Sequence, residues 1–234
     1  MRFFLFFLIL ALLTSPFFAC STAHAGVTLA QITNQSRLET KSDLDPKSRG
    51  NATYWNGGVS VENNLSSAFT FTTGLFYVKR KFSNIAITNS TLSTTYENQA
   101  EYLQVPLVLK LWIFNFFYIG GGGYLAKAVS NIDRTQTTSI SSGSLSTSSS
   151  LSQQVTFPQA GLRSEEAGAM GVVGISLGRR NGIFLEGRYL KTLNNLSTTG
   201  DHKVFHDLQY VVGFYNSSVL GELEKPFRSL FGRN

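Results

Sequence analysis

Charge is scarce in this chain. Asp, Glu, Lys and Arg make up 15% of its 234 residues, whereas they make up ~25% of a typical soluble domain. Cysteine is nearly absent as well, because the single cysteine, Cys20, lies close to the amino terminus. The remainder of the chain therefore has neither a disulfide framework nor thiolate chemistry.

Residues 1–25 have the pattern of a secretory signal peptide. Arg2 supplies the basic start, residues 3–13 form an apolar run, and a small-x-small site ends at Ala25. We therefore expect cleavage after Ala25 and export of the remaining chain. The alternative is lipoprotein processing immediately before Cys20.

The most apolar stretch, residues 102–127, is about as long as the ~20 residues that a transmembrane helix needs. Pro106 and Lys110 interrupt it, and four consecutive glycines at 120–123 would each cost about 1 kcal/mol relative to Ala in a helix. The stretch instead alternates with the period of a β-strand, which predicts a hairpin. Its continuous apolar face, which we expect to contact lipid, consists of Leu103, Val105, Leu107, Leu109 and Leu111.

Segments of alternating polarity recur along the chain, as is typical of outer-membrane barrel strands. They predict eight strands, at residues 26–34, 53–62, 69–82, 102–112, 117–127, 166–177, 183–189 and 206–215. Long and short connections alternate between them. Two long ones are residues 83–98 and the Ser/Thr-rich residues 130–164, which we expect to be one exposed loop because few side chains there can pack.

Backbone polar groups in lipid can be satisfied by a closed barrel but not by an open sheet. The sequence therefore predicts an all-β fold, an eight-stranded antiparallel up-and-down transmembrane β-barrel of the bacterial outer membrane, formed by residues 26–216. A soluble β-sandwich is the alternative. Residues 217–234 are predicted to be a periplasmic tail, either amphipathic or disordered.

Residues 102–110 (YLQVPLVLK) and 118–122 (YIGGG) resemble the hairpin of the PorT-like outer-membrane β-barrel family. Residues 71–81 and 184–189 resemble two further strands of that family. The resemblance implies an eight-stranded barrel in the outer membrane, and PorT itself is associated with protein secretion. Gln104 stands where family members often carry Glu.

Several polar side chains alternate with the apolar face and are predicted to point into the barrel lumen: Lys110, Glu186, Arg188 and Gln104, with Glu62, Arg80 and Asp207 as neighbours. Eight strands leave an interior that side chains just fill, and charges buried there must pair. We interpret these residues as a structural salt-bridge network. A gated polar path is the alternative.

No cofactor or metal site is predicted, since His202 and His206 are the only histidines after residue 25 and no cysteine follows it. Residues 174–178 match G-x-S-x-G, but a nucleophile elbow needs a strand-to-helix turn, and a hairpin is predicted there. We therefore expect a non-enzymatic barrel. A lipid-modifying barrel enzyme that uses His206 is the alternative.

The expected partners are outer-membrane lipid, the barrel-assembly and periplasmic chaperone machinery during transit, and other envelope proteins. Nucleic acid is not expected, because the basic residues are scattered rather than arranged in a stripe. Aromatic residues near predicted strand ends, including Tyr102, Tyr118, Tyr189 and Tyr210, predict girdles at the two membrane interfaces.

Overall fold

The computed structural model describes residues 25–40, 49–88, 92–114, 116–142, 145–177, 181–200 and 202–216. The predicted signal peptide, except Ala25, and the predicted tail lie outside this range. Within it the chain forms ten strands: β1 (Ala25–Thr40), β2 (Arg49–Asn64), β3 (Phe69–Thr88), β4 (Leu92–Trp112), β5 (Phe117–Ala128), β6 (Ile132–Ser142), β7 (Leu145–Val155), β8 (Glu165–Leu177), β9 (Asn181–Thr192) and β10 (Lys203–Asn216).

Eight of these strands close into a ring. Antiparallel pairing runs β1–β2–β3–β4–β5–β8–β9–β10, and β10 returns to β1 from Val27↔Asn216 to Thr40↔Lys203. A closed ring leaves no edge to be hydrated, which is the condition for crossing lipid. The prediction of an eight-stranded antiparallel barrel is confirmed, and every predicted strand is present, most of them longer than expected.

The barrel is apolar on its outside and mixed on its inside. Along β8, Glu166, Met170 and Val172 are buried in the lumen, while the intervening Val173 and Ile175 are 48% and 40% exposed on the outer face. A soluble sheet buries its apolar face, so this inversion indicates that lipid is the solvent of the outer face.

The ends of three pairs of successive strands lie at the same end of the barrel as the pairing of Val27 with Asn216: β2 and β3, β4 and β5, and β8 and β9. Ser66 stabilises the turn between β2 and β3, since its hydroxyl accepts hydrogen bonds from the backbone N–H groups of Ala68 and Phe69, at 3.2 and 3.1 Å. Short turns mark the periplasmic end of such barrels. We infer that the opposite end, beyond which β3, β4, β6 and β7 extend as paired strands, is extracellular.

The prediction of a loop at residues 83–98 is wrong. β3 and β4 continue past the barrel as a paired hairpin up to Thr88↔Ser93, with a register irregularity between Ile85 and Ile87. The β3 arm contains Ile85, Ile87 and Thr88, and the β4 arm contains Thr94, Thr95 and Tyr96, residue types that favour extended backbone. Polarity alone therefore did not distinguish a strand in water from a loop.

The prediction that residues 130–164 form one exposed loop is also wrong, because they contain β6 and β7. Beyond Tyr102, β4 is no longer paired with β5, which ends at Ala128. β6 takes over that edge by pairing with Leu92–Gln99, and β7 pairs with β6 along its whole length. The unpaired edge of β4 offers backbone hydrogen-bond partners to β6. The composition of residues 130–164 does not reveal that such an edge is available.

The result is a four-stranded extension outside the cell, which we call the surface sheet: residues 81–88 of β3, residues 92–99 of β4, β6 and β7. Side-chain pairs join its strands, such as Arg134 Nε with Asn98 Oδ1 at 2.8 Å and Thr135 Oγ1 with Ser152 Oγ at 3.1 Å. Within the described residues, β7 is the last strand, and its outer edge has no β partner.

Close approach of β4 and β5 requires a glycine at position 122. A Cβ on Gly122 would lie 1.9 Å from the backbone oxygen of Leu107 and 2.9 Å from the Cα of Val108. Nearer the periplasmic end, the ring of Tyr118 lies over Gly174, where a Cβ would be 2.4 Å from the phenol. Glycine at these two positions avoids steric overlap with the neighbouring strand and with the Tyr118 ring.

We predict that Gly122→Ala destabilises the barrel by about 1–3 kcal/mol, because the β4 backbone must move to admit the methyl group. The measurement is the temperature at which the fast-migrating folded band converts to the unfolded band on SDS gels. Gly171→Ala is the matched control, since nothing lies within 4 Å of a Cβ there. Equal conversion temperatures for the two variants would contradict the packing argument.

Candidate functional site

The periplasmic half of the lumen contains a four-residue charge cluster that we call the lower cluster: Glu62, Lys110, Glu186 and Arg188. The Lys110 Nζ atom lies 2.5 Å from Glu62 Oε1 and 3.0 Å from Glu186 Oε2. Arg188 Nε donates to Glu186 Oε1. Two carboxylates and two cations balance, as buried charges require.

Aromatic rings complete the surroundings of the lower cluster. The Tyr118 hydroxyl donates to Glu186 Oε2 at 2.8 Å, and its ring lies 4.6 Å below the Lys110 ammonium. The Arg188 guanidinium lies 4.8 Å from the centroid of Phe76. Such cation–π contacts strengthen when water is excluded, so the aromatic rings add to the ion pairs that hold both cations of the cluster.

The extracellular half of the lumen holds an upper cluster formed by Arg80, Glu166 and Asp207. Arg80 pairs with Glu166 Oε1 and, through its second terminal nitrogen, with Asp207 Oδ2 at 2.6 Å; all three side chains are fully buried. The Arg80 guanidinium also lies 4.6 Å from the Tyr102 centroid and 5.1 Å from that of Phe205. Sequence reasoning identified Arg80 and Asp207 but missed Glu166.

Glu166 has further polar contacts through its Oε2 atom. The hydroxyls of Tyr124 and Thr192 both lie 3.4 Å from it and 3.0 Å from each other. The signal for Glu166 in the sequence was its parity, because it alternates with the outward-facing residues of β8 in the same phase as Met170.

An uncharged layer separates the two clusters. Gln209 Nε2 donates to Gln104 Oε1 at 3.2 Å, and both side chains are fully buried. Beside this pair, five buried apolar side chains form one cluster that extends down to the lower cluster, where the centroid of the Phe184 ring lies 5.8 Å from the Lys110 ammonium: Ile32, Phe76, Val78, Phe184 and Val211. Because the partner of Gln104 is itself an amide, a neutral residue at this position suits the layer.

The extracellular mouth is closed by an apolar cap. Phe157 and Leu162, between β7 and β8, and Leu196, between β9 and β10, are buried among residues of the barrel wall. The Arg163 N–H donates to the Leu196 carbonyl at 2.7 Å, and the Ala128 N–H donates to Ser164 at 2.8 Å. The predicted loop therefore supplies side chains that seal the lumen, which is the opposite of an exposed, unpacked segment.

The predicted lipid-facing residues of β4 have unequal exposure. Leu107, Leu109 and Leu111 are exposed on the outer face, and Leu103 is partly exposed. Val105 is only 8% exposed, so neighbouring side chains cover it. From Leu103 to Leu111 the strand rises about 26 Å at ~3.3 Å per residue, and its nine residues are the length that a tilted barrel strand needs.

The predicted aromatic girdles need a correction. Tyr102 and Tyr118 are each 1% exposed and lie in the lumen, where they contact the two clusters. Tyr189 and Tyr210 are about half exposed on the outer face. Tyr102 and Tyr118 have the parity of the lumen residues, so strand phase rather than position along the strand was the informative signal.

His206 lies on the outer face of β10. Its Nδ1 atom is 2.6 Å from the Tyr189 hydroxyl, and its Nε2 atom is 2.6 Å from Glu39 Oε2. Both ring nitrogens are thus engaged, and neither contacts a serine in the described part of the chain. Ser176 of the G-x-S-x-G match lies within β8 and is buried, so no nucleophile elbow forms there.

Two kinds of feature are absent from the described residues. They contain no group of three or more His, Cys, Asp or Glu side chains placed to hold a metal ion. They also contain no helix that is long and apolar enough to cross a membrane.

We predict that Lys110→Met destabilises the barrel by about 3–5 kcal/mol, because Glu62 and Glu186 lose a buried counter-charge. The measurement is the urea midpoint of the protein folded in detergent micelles. Lys127→Met is the matched control: Lys127 pairs with Glu165 at 2.7 Å on the exposed outer face, where such a pair contributes about 0–1 kcal/mol.

The double variant Lys110→Met/Glu186→Gln tests the cause. Removing one carboxylate together with the ammonium is expected to recover part of the loss, because one uncompensated charge disappears. A Lys110→Met midpoint no lower than that of Lys127→Met would show that the lower cluster does not hold the lumen.

No curated protein sequence matches the chain. Three outer-membrane structures resemble it distantly in space. Ail of Yersinia pestis has 11% identity and a TM-score of 0.39, over 82% of this chain and 97% of Ail. Neisserial surface protein A has 12% identity and a TM-score of 0.38, over 82% of this chain and 98% of the other.

OprG of Pseudomonas aeruginosa has 11% identity and a TM-score of 0.38, over 81% of this chain and 94% of OprG. The decisive comparison is with family models, of which one, described as an outer membrane protein beta-barrel domain, matches residues 21–198. That range covers most of the chain and both lumen clusters except Asp207. The chain therefore belongs to the outer membrane protein beta-barrel domain family, and its place is the bacterial outer membrane.

Proposed function

We propose that this chain is a non-enzymatic, sealed barrel that acts through its surface sheet, by contact with other molecules of the envelope. The observation that carries the proposal is the contrast between the lumen of the barrel and the surface sheet. Inside, both charge clusters are buried and the apolar cap covers the mouth. Outside, the surface sheet extends beyond the wall and ends in an unpaired strand.

The edge strand β7 has the composition of a contact strand. Its sequence, LSTSSSLSQQV, contains no Lys, Arg, Asp, Glu, Pro or Gly. Proteins usually protect such edges with charge, proline or a bulge. An eleven-residue edge without these features favours the addition of an extended segment from a partner, in which main-chain hydrogen bonds supply affinity.

Photo-crosslinking in intact cells tests this contact. A photoreactive residue at Ser150, in the middle of β7, is expected to capture an envelope protein, whereas the same residue at Leu65, in a periplasmic turn, is not expected to capture it. Ser148→Lys/Ser152→Lys places two charges on the edge strand and should abolish the crosslink without unfolding the barrel. A crosslink that survives both lysines would contradict strand addition.

The resemblance to PorT-like barrels supports one specific form of this role, a part in protein secretion. In that form, a strain lacking the chain loses exported proteins from its culture medium, and the wild-type gene restores them. The Ser148→Lys/Ser152→Lys variant should fail to restore them. Unchanged secretion in the deletion strain would restrict the role to contact at the cell surface.

A further inference from the structure

On the outside of the barrel, the apolar face that contacts lipid, which we call the apolar belt, ends at a row of charged side chains. Two walls of the barrel differ in how the charges of this row are neutralised. On the β3–β4 side, Lys79 pairs with Glu101 at 2.9 Å. On the β5–β8 side, Lys127 pairs with Glu165 at 2.7 Å. Each cation there has its own carboxylate, so this wall presents no net positive charge at the membrane boundary.

The β9–β10–β1 wall carries a different row. Cross-strand pairing places Arg37 opposite His206, and His206 opposite Lys191. All three side chains lie on the outer face, because the residues that alternate with them, such as Leu38, Asp207 and Leu190, are buried in the lumen. Among the described residues, neither Arg37 nor Lys191 forms an ion pair.

Glu39 is the carboxylate nearest in the β-ladder to this row, and it contacts His206 rather than Arg37 or Lys191. The His206 Nε2 atom lies 2.6 Å from Glu39 Oε2, while Nδ1 lies 2.6 Å from the Tyr189 hydroxyl. Glu39 and Arg37 share the outer face of β1, yet the carboxylate contacts the imidazole instead. Two cations and one carboxylate leave the row with one positive charge in excess, and neither Arg37 nor Lys191 has an ion-pair partner among the described residues.

The height of the row coincides with the boundary of the apolar belt. Below it, the outer face of β10 carries Leu208, Tyr210, Val212 and Phe214, each 37–50% exposed. His206 is the ninth residue of strand counted from Phe214, which is one crossing of the hydrocarbon by a tilted strand. Tyr189, whose hydroxyl contacts His206, is an aromatic residue of the kind that lies at headgroup level.

We propose that Arg37 and Lys191 form a binding site for the phosphate headgroup of a lipid in the outer leaflet. Neighbouring strands lie ~4.8 Å apart, so the two cationic side chains start about 10 Å apart with His206 between them. Guanidinium binds phosphate through two parallel hydrogen bonds, and ammonium adds a compact charge. The acyl chains of the same lipid lie against the apolar belt of β10, which a free anion cannot use.

The site is independent of the surface sheet, which lies on the opposite wall, so its test does not depend on the proposed function. The experiment counts lipids bound to the full chain in dodecyl maltoside micelles by native mass spectrometry. The probes are didecanoyl phosphatidic acid and didecanoylglycerol, which have the same acyl chains and differ in the phosphate group. Inorganic phosphate is a third, separate probe.

We expect preferential binding of phosphatidic acid over didecanoylglycerol. Arg37→Gln and Lys191→Gln should each weaken binding about fivefold, and the double variant about 30-fold, since each cation contributes an independent attraction to the headgroup. Lys79→Gln/Lys127→Gln is the matched control, because it removes the same charge from the other wall. It should leave phosphatidic acid binding within about twofold of the wild type.

Three outcomes overturn the proposal. Equal loss in both double variants would indicate attraction to overall charge rather than a site. Unchanged binding in the Arg37 and Lys191 variants, with the folded band intact on unheated gels, would remove these residues from recognition. Displacement of phosphatidic acid by an equal concentration of inorganic phosphate would identify a free anion, and not a lipid, as the ligand.

Discussion

Closure of the sheet between β1 and β10 is the constraint on which the rest of the structure depends. Lipid offers no partner to a backbone N–H or carbonyl, so each strand must find one on both sides. Fourteen consecutive residue pairs from Val27↔Asn216 to Thr40↔Lys203 meet this demand at the junction of the chain's two ends. Once the ring is closed, the outer face can be apolar, and the polar and charged side chains of the membrane-spanning strands must lie on the inner face.

The lumen shows how a narrow barrel accommodates polar side chains away from water. Eight strands leave room for side chains but not for a channel, so each charge needs a fixed partner. Lys110 bridges Glu62 and Glu186, and Arg80 bridges Glu166 and Asp207. A neutral amide pair and apolar side chains separate the two clusters. The proposed contacts of β7 and of Arg37 and Lys191 lie instead on the outer surface of the molecule.

Strand phase carried most of what the sequence could predict. The alternation from Leu103 to Leu111 identified the membrane wall, and the opposite phase placed Lys110 and Gln104 inside. What failed was inference from composition. A Ser/Thr-rich segment became two strands because β4 offered it an unpaired edge, and Phe157 and Leu162 within it became the cap. The local sequence shows neither an unpaired strand edge elsewhere in the fold nor a packing partner that is distant in the chain.

The upper cluster has a consequence for biogenesis. Its members come from β3, β8 and β10, and Arg80 is 127 positions from Asp207 in the chain. Arg80 can therefore pair with Glu166 only once β8 is in place, and with Asp207 only once β10, the last strand, has joined the sheet. A partly assembled intermediate crossing the bilayer would therefore carry bare charge into hydrocarbon, at a cost of several kcal/mol per ion. The last strand thus brings the final counter-charge of the lumen as well as the hydrogen bonds that close the ring.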